Sequence, residues 1–145
     1  MVNMQTSTKP VSAKNIKRNW HMVDLKGKVL GRSANEIAKL LQGKHKPEYV
    51  SYLDMGDFVV VINAKSVEVT GKKAEQKTYT YYSGFPGGLR EVKFQTLLQN
   101  KPQEIITKAV IGKLPKNKLR DRRMTRLFVY PDEVHPYADK FKNNK

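Results

Sequence analysis

The sequence predicts a single α/β domain in which helices cover a parallel β-sheet. The run DFVVVIN at residues 57–63 is apolar and β-branched without alternation, as in a strand that is buried on both faces. Apolar residues recur at helical spacing in VLGRSANEIAKLLQGK at 29–44 and in PQEIITKAVIGKL at 102–114. With 145 residues, the chain has room for one ordinary domain and too little for two of comfortable size.

The first predicted elements are a strand and a helix. The run WHMVDL at 20–25 is aromatic and β-branched, which favours a strand. The helix that follows is expected to end at Gly43, because glycine readily takes the left-handed conformation at a helix C-terminus. Its apolar stripe consists of Leu30, Ala34, Ile37, Ala38 and Leu41. Ser33 and Glu36 match a capping box, which would start the helix about one turn later, and both starting points stay open.

Three further strands are predicted along the chain. They are SVEVTG at 66–71, KTYTYY at 77–82 and LFVY at 127–130. In the second of these strands, Tyr79 and Tyr81 share one face because side chains alternate along a strand. The glycine-rich loop at 84–88 is expected to end that element.

Two helices are predicted between this loop and the last strand. FQTLLQN at 94–100 comes first, and Pro102 suits the first turn of the helix that follows. One face of the later helix consists of Ile105, Ile106, Ala109 and Val110.

The chain divides into three predicted regions. Residues 1–19 are expected to form a basic, poorly ordered N-terminal arm, 20–130 the α/β domain, and 131–145 a C-terminal tail. The arm has no apolar h-region, which argues against a secretory signal, and it lacks the arginine enrichment of an organelle transit peptide. No apolar run is as long as a membrane span. These features favour a bacterial cytoplasm.

The composition indicates a polyanionic partner. The sequence has 28 Lys and Arg against 13 Asp and Glu, a formal net charge of +15. Such an excess repels itself in a compact chain, so nucleic acid is the first expected partner and an acidic membrane surface the second. The chain has no cysteine, which excludes disulfides, cysteine-ligated zinc and a thiol nucleophile.

Much of the charge lies in one segment, residues 108–126, which we call the basic tract. It contains one acid, Asp121, and eight bases: Lys108, Lys113, Lys116, Lys118, Arg120, Arg122, Arg123 and Arg126. A charge run of mixed sign is usually a solvated face, whereas this run is almost purely positive. Because arginine can hold a phosphate through two parallel hydrogen bonds, the tract predicts binding to an RNA backbone.

Aromatic residues offer candidate stacking platforms for bases. They are Trp20, Tyr79, Tyr81, Tyr82 and Phe85. Packing in the core is the more common role for such residues. Tyr82 and Phe85 are the exceptions, because they flank or lie in the glycine-rich loop.

Sequence features typical of enzymes are weak. TGKK at 70–73 lacks the first glycine and the final Ser or Thr of a phosphate-binding P-loop. Asp54 and Asp57 are a candidate carboxylate pair for magnesium, although acids beside a strand more often serve in turns and caps. His21, His45 and His135 are scattered, with no second ligand at metal spacing. We therefore expect no catalytic residue, no metal site and no cofactor.

Eight motifs, taken in order, resemble one family. They are W-x-x-V-D-x-x-G-x-x-L-G-R (20–32), L-x-G-K-x-K-x-x-Y (41–49), D-x-G-D-F-V-V-V-I-N-A (54–64), V-T-G-K-K (69–73), K-x-Y (77–79), S-G-F-P-G-G (83–88), K-P-x-x-I-I-x-K-A-V-x-G-K-L-P-K-N-K-L (101–119) and L-F-V-Y (127–130). Together they resemble the bacterial-type large-subunit ribosomal protein family conventionally numbered thirteen. Each motif alone is weak, but their joint order and spacing are specific.

The resemblance implies a fold, partners and a role. The fold is a three-layer α/β/α domain around a mostly parallel four-stranded sheet. The partners are large-subunit ribosomal RNA and neighbouring large-subunit ribosomal proteins, and the role is structural, early in subunit assembly and in translation. No membrane, small-molecule substrate or homo-oligomer is expected.

The predicted RNA-binding residues combine basic side chains with the glycine-rich loop. They are Arg32, Lys44, Lys46, Lys72, Lys73, Tyr82, Gly87, Gly88, Arg90, Lys113, Lys116, Lys118, Arg120, Arg122, Arg123 and Arg126. Gly84, Gly87 and Gly88 are expected to let the backbone approach RNA or turn tightly beside it.

The chain departs from the family pattern at several positions. Val50, Ser51 and Tyr52 replace the usual Thr-Pro-His, and Tyr82 replaces a histidine. Leu119, Arg120 and Asp121 stand where the family has Leu-Gly-Arg. The family's detailed contacts are therefore not transferred to Tyr52, Tyr82 or Arg120.

Two alternatives remain at the level of sequence. The first is an RNA-processing or nucleotide-using enzyme with Asp54 and Asp57 as metal ligands. The second is a free-standing nucleic-acid-binding regulator, which would bind RNA below micromolar concentration as an isolated protein at physiological salt.

Overall fold

The structure is a computed structural model that describes residues 11–142, so residues 1–10 of the predicted arm and 143–145 of the predicted tail lie outside the described residues. It confirms an α/β fold with a parallel sheet. The strands are β1 (Trp20–Asp24), β2 (Phe58–Ile62), β3 (Thr78–Tyr82), β4 (Leu89–Lys93) and β5 (Leu127–Val129). The helices are α1 (Leu30–Gln42), α2 (Lys73–Gln76), α3 (Phe94–Asn100), α4 (Pro102–Lys113), α5 (Leu119–Met124) and α6 (Ala138–Lys142). Single 3-10 turns lie at Ala13–Asn15 and Ala64–Ser66.

The main sheet is three-stranded and parallel, in the order β1-β2-β5. Trp20 pairs with Phe58, and Val59 pairs with Leu127, so all three strands begin at the same edge. We call this the amino edge of the sheet. The central strand β2 is buried on both faces, which explains its unbroken apolar run and confirms the strand predicted there.

The predicted four-stranded, mostly parallel sheet is wrong. Besides the three parallel strands there is a separate two-stranded antiparallel hairpin, β3-β4. The predicted strand SVEVTG does not form; it makes a 3-10 turn ending at Ser66 and one isolated bridge, between Val29 and Glu68. Glu68 N–H donates to Lys28 O, and Leu30 N–H donates to Glu68 O. Beyond Leu30 the paired segment enters α1, so no further β-sheet hydrogen bonds form.

The best-defined helix, α1, takes the earlier of its two starting points. It begins at Leu30, and Ser33 lies inside it with its hydroxyl donating to Val29 O, so Ser33 is not the N-cap. Gly43 ends the helix with φ 81°, as predicted. The predicted apolar stripe is buried, and it packs against α4 and β2.

The loop between α1 and β2 lies very close to the end of α1. A Cβ added to Gly56 would stand 1.7 Å from Leu41 O, and one added to Gly43 would stand 2.6 Å from Met55 O. Only glycine permits this approach of two backbones. The contact fixes the position of Asp54 and Asp57, which lie in and at the end of the loop.

The two faces of the sheet are covered differently. One face, which includes Val59 and Val61, belongs to the main core with α1, α3 and α4. On the other face Trp20 stacks on Phe58 at 4.5 Å between ring centroids, and Tyr137 packs on Trp20 at 5.0 Å. Residues from the predicted tail therefore cover the sheet. None of the helices in the described part of the chain is long and apolar enough to cross a membrane.

Candidate nucleic-acid interface

The structure separates the predicted RNA-binding residues by exposure. Nine cations are exposed: Arg32, Lys44, Lys72, Lys73, Arg90, Lys113, Lys116, Lys118 and Arg122. Tyr82 and Gly87 are also exposed, whereas Gly88, Lys46 and Arg120 are half-buried. Arg123 and Arg126 are only 1% and 7% exposed, so they lie inside the domain.

The basic tract contains the end of α4, a connecting loop and α5. Lys113 ends α4, and buried Leu114 anchors the loop that carries exposed Lys116 and Lys118. Lys108, by contrast, packs its ammonium group 3.6 Å from the centroid of the Tyr81 ring. The surface charge of the tract thus comes from the loop and from the outer side of α5.

Two of the tract's arginines surround Asp54 at the amino edge. Arg126, immediately before β5, donates from both terminal nitrogens to the Asp54 carboxylate at 2.6 and 2.5 Å. Arg123 Nε lies 3.7 Å from the same carboxylate, and Arg18 NH2 lies 3.7 Å from it. Arg18 also donates to the Asp54 and Gly56 carbonyl oxygens. We call Arg18, Arg123 and Arg126 the arginine cluster.

Arg123 and Arg126 are buried, whereas Arg122 beside them is exposed. Helical periodicity does not explain this difference, because Arg122, Arg123 and Arg126 follow Leu119 at i+3, i+4 and i+7 and so share one side of α5 and of the turn after it. The buried pair is distinguished by its contacts with Asp54, which come from a distant segment of the chain.

Asp57 is fully buried and is held by two other segments of the chain, at residues 19–21 and 45–46. Its Oδ2 accepts from His21 Nε2 at 2.9 Å and from His45 Nε2 at 2.8 Å, and its Oδ1 accepts from Lys46 Nζ and from Asn19 N–H. Burial raises the pKa of the Asp57 carboxyl, but the hydrogen bonds from His21, Lys46 and Asn19 outweigh it and hold that pKa well below its usual range. Asp57 therefore stays ionised.

The view that the histidines are scattered is wrong for two of them. Donor atoms of His21, His45 and Asp57 lie within 4.8 Å of one another. These residues come from β1, from the turn after α1 and from the start of β2, so no local spacing reveals them. Lys46 neutralises the carboxylate and the two rings hydrogen-bond it, so Asp57 already has partners for both of its oxygens.

The glycine-rich loop ends β3 at Tyr82, as predicted, and is the tip of the β3-β4 hairpin. Gly84 and Gly87 have φ of 88° and 71°, and a Cβ on Gly88 would stand 2.0 Å from Ser83 Oγ. Tight turning thus accounts for all three glycines.

The hairpin has two unlike faces. Tyr81 faces inward, where its hydroxyl donates to Glu104 at 3.0 Å. On the outer face Tyr82 is 68% exposed, and Phe85 at the tip is 73% exposed. Arg90 pairs with Tyr81 and shares its face, but it is exposed because it lies close to the tip. The hairpin therefore presents aromatic surface on one face and a cation on the other.

Lysines from two separate motifs meet at one groove. Lys73 of the T-G-K-K motif and Lys113 of the basic tract line it together with Lys77, beside the start of α1. Its volume is about 330 Å³. Arg32 and Arg90 do not line this groove.

Comparison with known proteins identifies the relatives of this chain. The family model described as ribosomal protein L13 matches residues 18–136. A large ribosomal subunit protein uL13 of Rubrobacter xylanophilus is 50% identical over 123 residues, 85% of this chain and 86% of the relative. The protein of the same name from a Thermoanaerobacter species is 52% identical over 122 residues, 84% and 85% of the two chains. That of Syntrophotalea carbinolica is 50% identical over 132 residues, 91% and 93% of the two chains.

Proposed function

The chain belongs to the ribosomal protein L13 family, and from this premise we propose that it is a structural protein of the large ribosomal subunit that binds ribosomal RNA. The single observation that carries this proposal is the match over residues 18–136, which includes the domain and the basic tract. The matched relatives are bacterial large-subunit proteins, so the chain acts in the bacterial cytoplasm, on the ribosome, in translation.

The protein is not an enzyme, because its family is structural. The two carboxylates of the enzyme hypothesis are already engaged: Arg126 binds Asp54 through two hydrogen bonds, and Lys46 with two histidines binds Asp57. Asp54→Asn and Asp57→Asn are therefore expected to weaken folding or assembly without abolishing any catalytic activity.

The proposed mechanism is neutralisation of phosphate charge where RNA helices converge. Exposed cations from several elements supply it: Arg32, Lys44, Lys72, Lys73, Arg90, Lys113, Lys116, Lys118 and Arg122. Each phosphate contact steepens the dependence of log K on log salt by somewhat less than one unit. Arg123 and Arg126 support this surface from within, since they fix α5 to Asp54.

The hairpin tip is proposed as a second contact of a different kind. Tyr82 and Phe85 offer ring faces to unpaired bases, and Arg90 offers a phosphate contact on the strand opposite Tyr81. The same exposed surface suits neighbouring ribosomal proteins, which are the other proposed partners. The N-terminal arm is proposed to fill a groove of the RNA, and the protein is proposed to act early in subunit assembly.

The test is co-sedimentation of the tagged protein with large subunits from cell extract. Wild-type protein is expected to migrate with large subunits. Reversing three exposed charges of the tract, Lys116→Glu, Lys118→Glu and Arg122→Glu together, is expected to reduce incorporation at least tenfold, because six units of charge change at the RNA surface.

The matched control reverses three exposed lysines that are not proposed contacts, at Lys26, Lys93 and Lys140. Both triple variants have the same net charge, so a general charge effect would reduce incorporation equally. Unchanged incorporation of the tract variant would refute the role of the tract. Failure of the wild-type protein to enter large subunits would refute the proposed function itself.

A further inference from the structure

Three side chains at the amino edge of the sheet direct metal-binding atoms towards one point. One ligand atom from each of His21, His45 and Asp57 lies within 4.8 Å of the other two. Nε2 of both imidazoles lies against the same carboxylate oxygen, Asp57 Oδ2, at 2.9 and 2.8 Å. Two imidazoles and one carboxylate form a ligand set that binds Zn²⁺ in proteins. These residues are therefore a candidate zinc site.

The spacing of the ligand atoms is close to what a metal ion requires. Zinc lies about 2.0–2.2 Å from nitrogen and oxygen ligands, so the ligand atoms of a tetrahedral site are about 3.3–3.6 Å apart. Each Nε2 must therefore move about 0.5 Å away from Oδ2 to admit the ion. Neither ring has another hydrogen-bond partner among residues 11–142, so a small rotation of each ring breaks no other bond.

The carboxylate of Asp57 is held in place through its other oxygen. Oδ1 accepts from Lys46 Nζ and from Asn19 N–H, which leaves Oδ2 for the ion. The Lys46 ammonium group is itself fixed, because it also donates to the carbonyl oxygens of Lys17 and Met55. Outer hydrogen bonds of this kind orient the carboxylate ligands of metal sites. Lys46 and Asn19 thus position the ligand without occupying the place of the metal.

Charge and access set how tightly such a site binds. The ammonium group of Lys46 repels a cation, so zinc should bind more weakly here than at a site with two carboxylates. The side chains of His21 and His45 are 31% and 33% exposed, which opens the site to ions from solvent. The same exposure leaves room for a water molecule as the fourth ligand.

We propose that His21, His45 and Asp57 bind one Zn²⁺ ion, with the fourth position taken by water. The ion replaces the two Nε2 protons, so each neutral ring carries its single proton on Nδ1. Imidazole favours zinc and neighbouring transition metals over Mg²⁺ and Ca²⁺. The ion links β1, the turn after α1 and the residue before β2. None of the three ligands is a proposed RNA contact, so the inference goes beyond the proposed function.

The first experiment measures thermal unfolding of the full chain in zinc chloride and in a chelator, for wild type, His21→Gln, His45→Gln and His135→Gln. Zinc in molar excess is expected to raise the wild-type Tm by about 5 °C, because a ligand of the folded state stabilises it. Glutamine keeps an N–H donor for Asp57 but does not replace imidazole as a zinc ligand. His21→Gln and His45→Gln should therefore unfold near wild type in chelator and lose most of the zinc effect.

His135→Gln is the matched control, because it removes the third histidine of the sequence. His135 lies outside the cluster, where its Nδ1 accepts from Tyr137 N–H, and the variant should keep the full zinc effect. An equal rise in Tm for all four proteins would show that zinc binds elsewhere and would overturn the site. No rise in wild type would overturn it as well. A loss in only one of the two cluster variants would show that the ligand set is wrong.

The second experiment uses Co²⁺ as a spectroscopic probe of the same site. Co²⁺ accepts the same ligands as zinc, and in four-coordinate sites it absorbs visible light more strongly than the hydrated ion. Wild type and His135→Gln are expected to give this absorption, and excess zinc should remove it, whereas His45→Gln should not give it. A wild-type spectrum like that of hydrated Co²⁺ would contradict coordination by the cluster. Co-sedimentation with large subunits tests the proposed function separately, so failure of the zinc site leaves that function standing.

Discussion

Asp54 and Asp57 lie three positions apart in sequence, and each compensates cations from distant parts of the chain. Asp54 accepts hydrogen bonds from Arg126, the residue before β5. Asp57 accepts them from His21 in β1 and from Lys46 in the turn after α1. Because parallel strands begin at one edge, the residues that precede them meet there. The two carboxylates therefore join the three strand starts.

Removing the charge of Asp57 tests this role. Asp57→Asn is expected to lower the free energy of unfolding by about 3–5 kcal/mol, because the half-buried ammonium group of Lys46 would lose its fully buried carboxylate partner. Urea denaturation monitored by circular dichroism measures the loss. Asp132→Asn is the control, since it breaks an exposed pair with Lys65 and should cost at most about 0.5 kcal/mol. Equal costs for the two variants would contradict the role.

The stability difference between wild type and Asp57→Asn should also depend on pH. The pKa of Asp57 is lowered in the folded state, so the stability it contributes is complete above its unfolded pKa of about 4 and is lost as pH falls below that value. The difference in unfolding free energy between wild type and Asp57→Asn should therefore be largest near pH 6 and shrink towards pH 3. A difference that stays constant over this range would show that ionisation of Asp57 is not what stabilises the fold.

Two glycines in contrasting surroundings test the close approach of the loop to α1. Gly56→Ala should lower the free energy of unfolding by more than about 3 kcal/mol, because its Cβ would overlap Leu41 O and two backbones must move apart. Gly31→Ala lies within α1 with nothing within 4 Å of the added Cβ, and should raise stability by about 0.5–1 kcal/mol. Thermal unfolding of both variants checks the opposite signs.

At the scale of elements, local patterns predicted the helices α1, α3 and α4 and the central strand well, whereas the short helices α2, α5 and α6 were not predicted. The apolar stripe of α1 and the apolar run of β2 indicate which faces are buried, because apolar residues recur where side chains face the core. SVEVTG shows the limit, since its alternation correctly marks Val67 as buried although no strand is available to pair with it. Strand β4 was missed because LREVK is mostly polar and exposed, and only its pairing with β3 makes it a strand.

The positive charge of the candidate interface could be predicted from the sequence, but only some of its exposed residues could. Charge counting located the basic tract, but it does not tell Arg122 on the surface from Arg123 in the interior. The ion pairs of Asp54 and Asp57 depend on the parallel order of the strands, which no single motif contains. Tyr82 and Phe85 were separable from the packed aromatics because they adjoin glycines that need a tight turn.

The hairpin gives a prediction at this scale. Phe85→Ser should leave the Tm within about 1 °C of wild type, since the ring is exposed and buries little area. If a base stacks on it, the variant should dissociate from large subunits at lower salt, with binding weakened by about 1–3 kcal/mol. Co-sedimentation through washes of rising salt measures this, and Val134→Ser, another exposed apolar residue, is the control. Identical release of both variants would contradict stacking at Phe85.

At the scale of the whole molecule, a net charge of +15 on 145 residues strains the free protein. Exposed cations repel one another over the Debye length, which is about 30 Å at 0.01 M salt and about 8 Å at 0.15 M. Raising sodium chloride over this range should therefore increase the free energy of unfolding, by about 1 kcal/mol or more. Urea titration measures this without adding charge, and a decrease with salt would mean that ion pairs outweigh the repulsion.

The parallel order β1-β2-β5 also sets a sequence of events in time. During synthesis β1, α1 and β2 leave the ribosome long before Arg126 and β5 are made. Until then the second edge of β2 is unpaired, and Asp54 lacks its bidentate hydrogen bonds from Arg126. Closure of the domain thus depends on residues from the last fifth of the chain. A nascent chain that stops before Leu127 has a central strand whose second edge is unpaired, and only a finished chain has the closed domain that a subunit can incorporate.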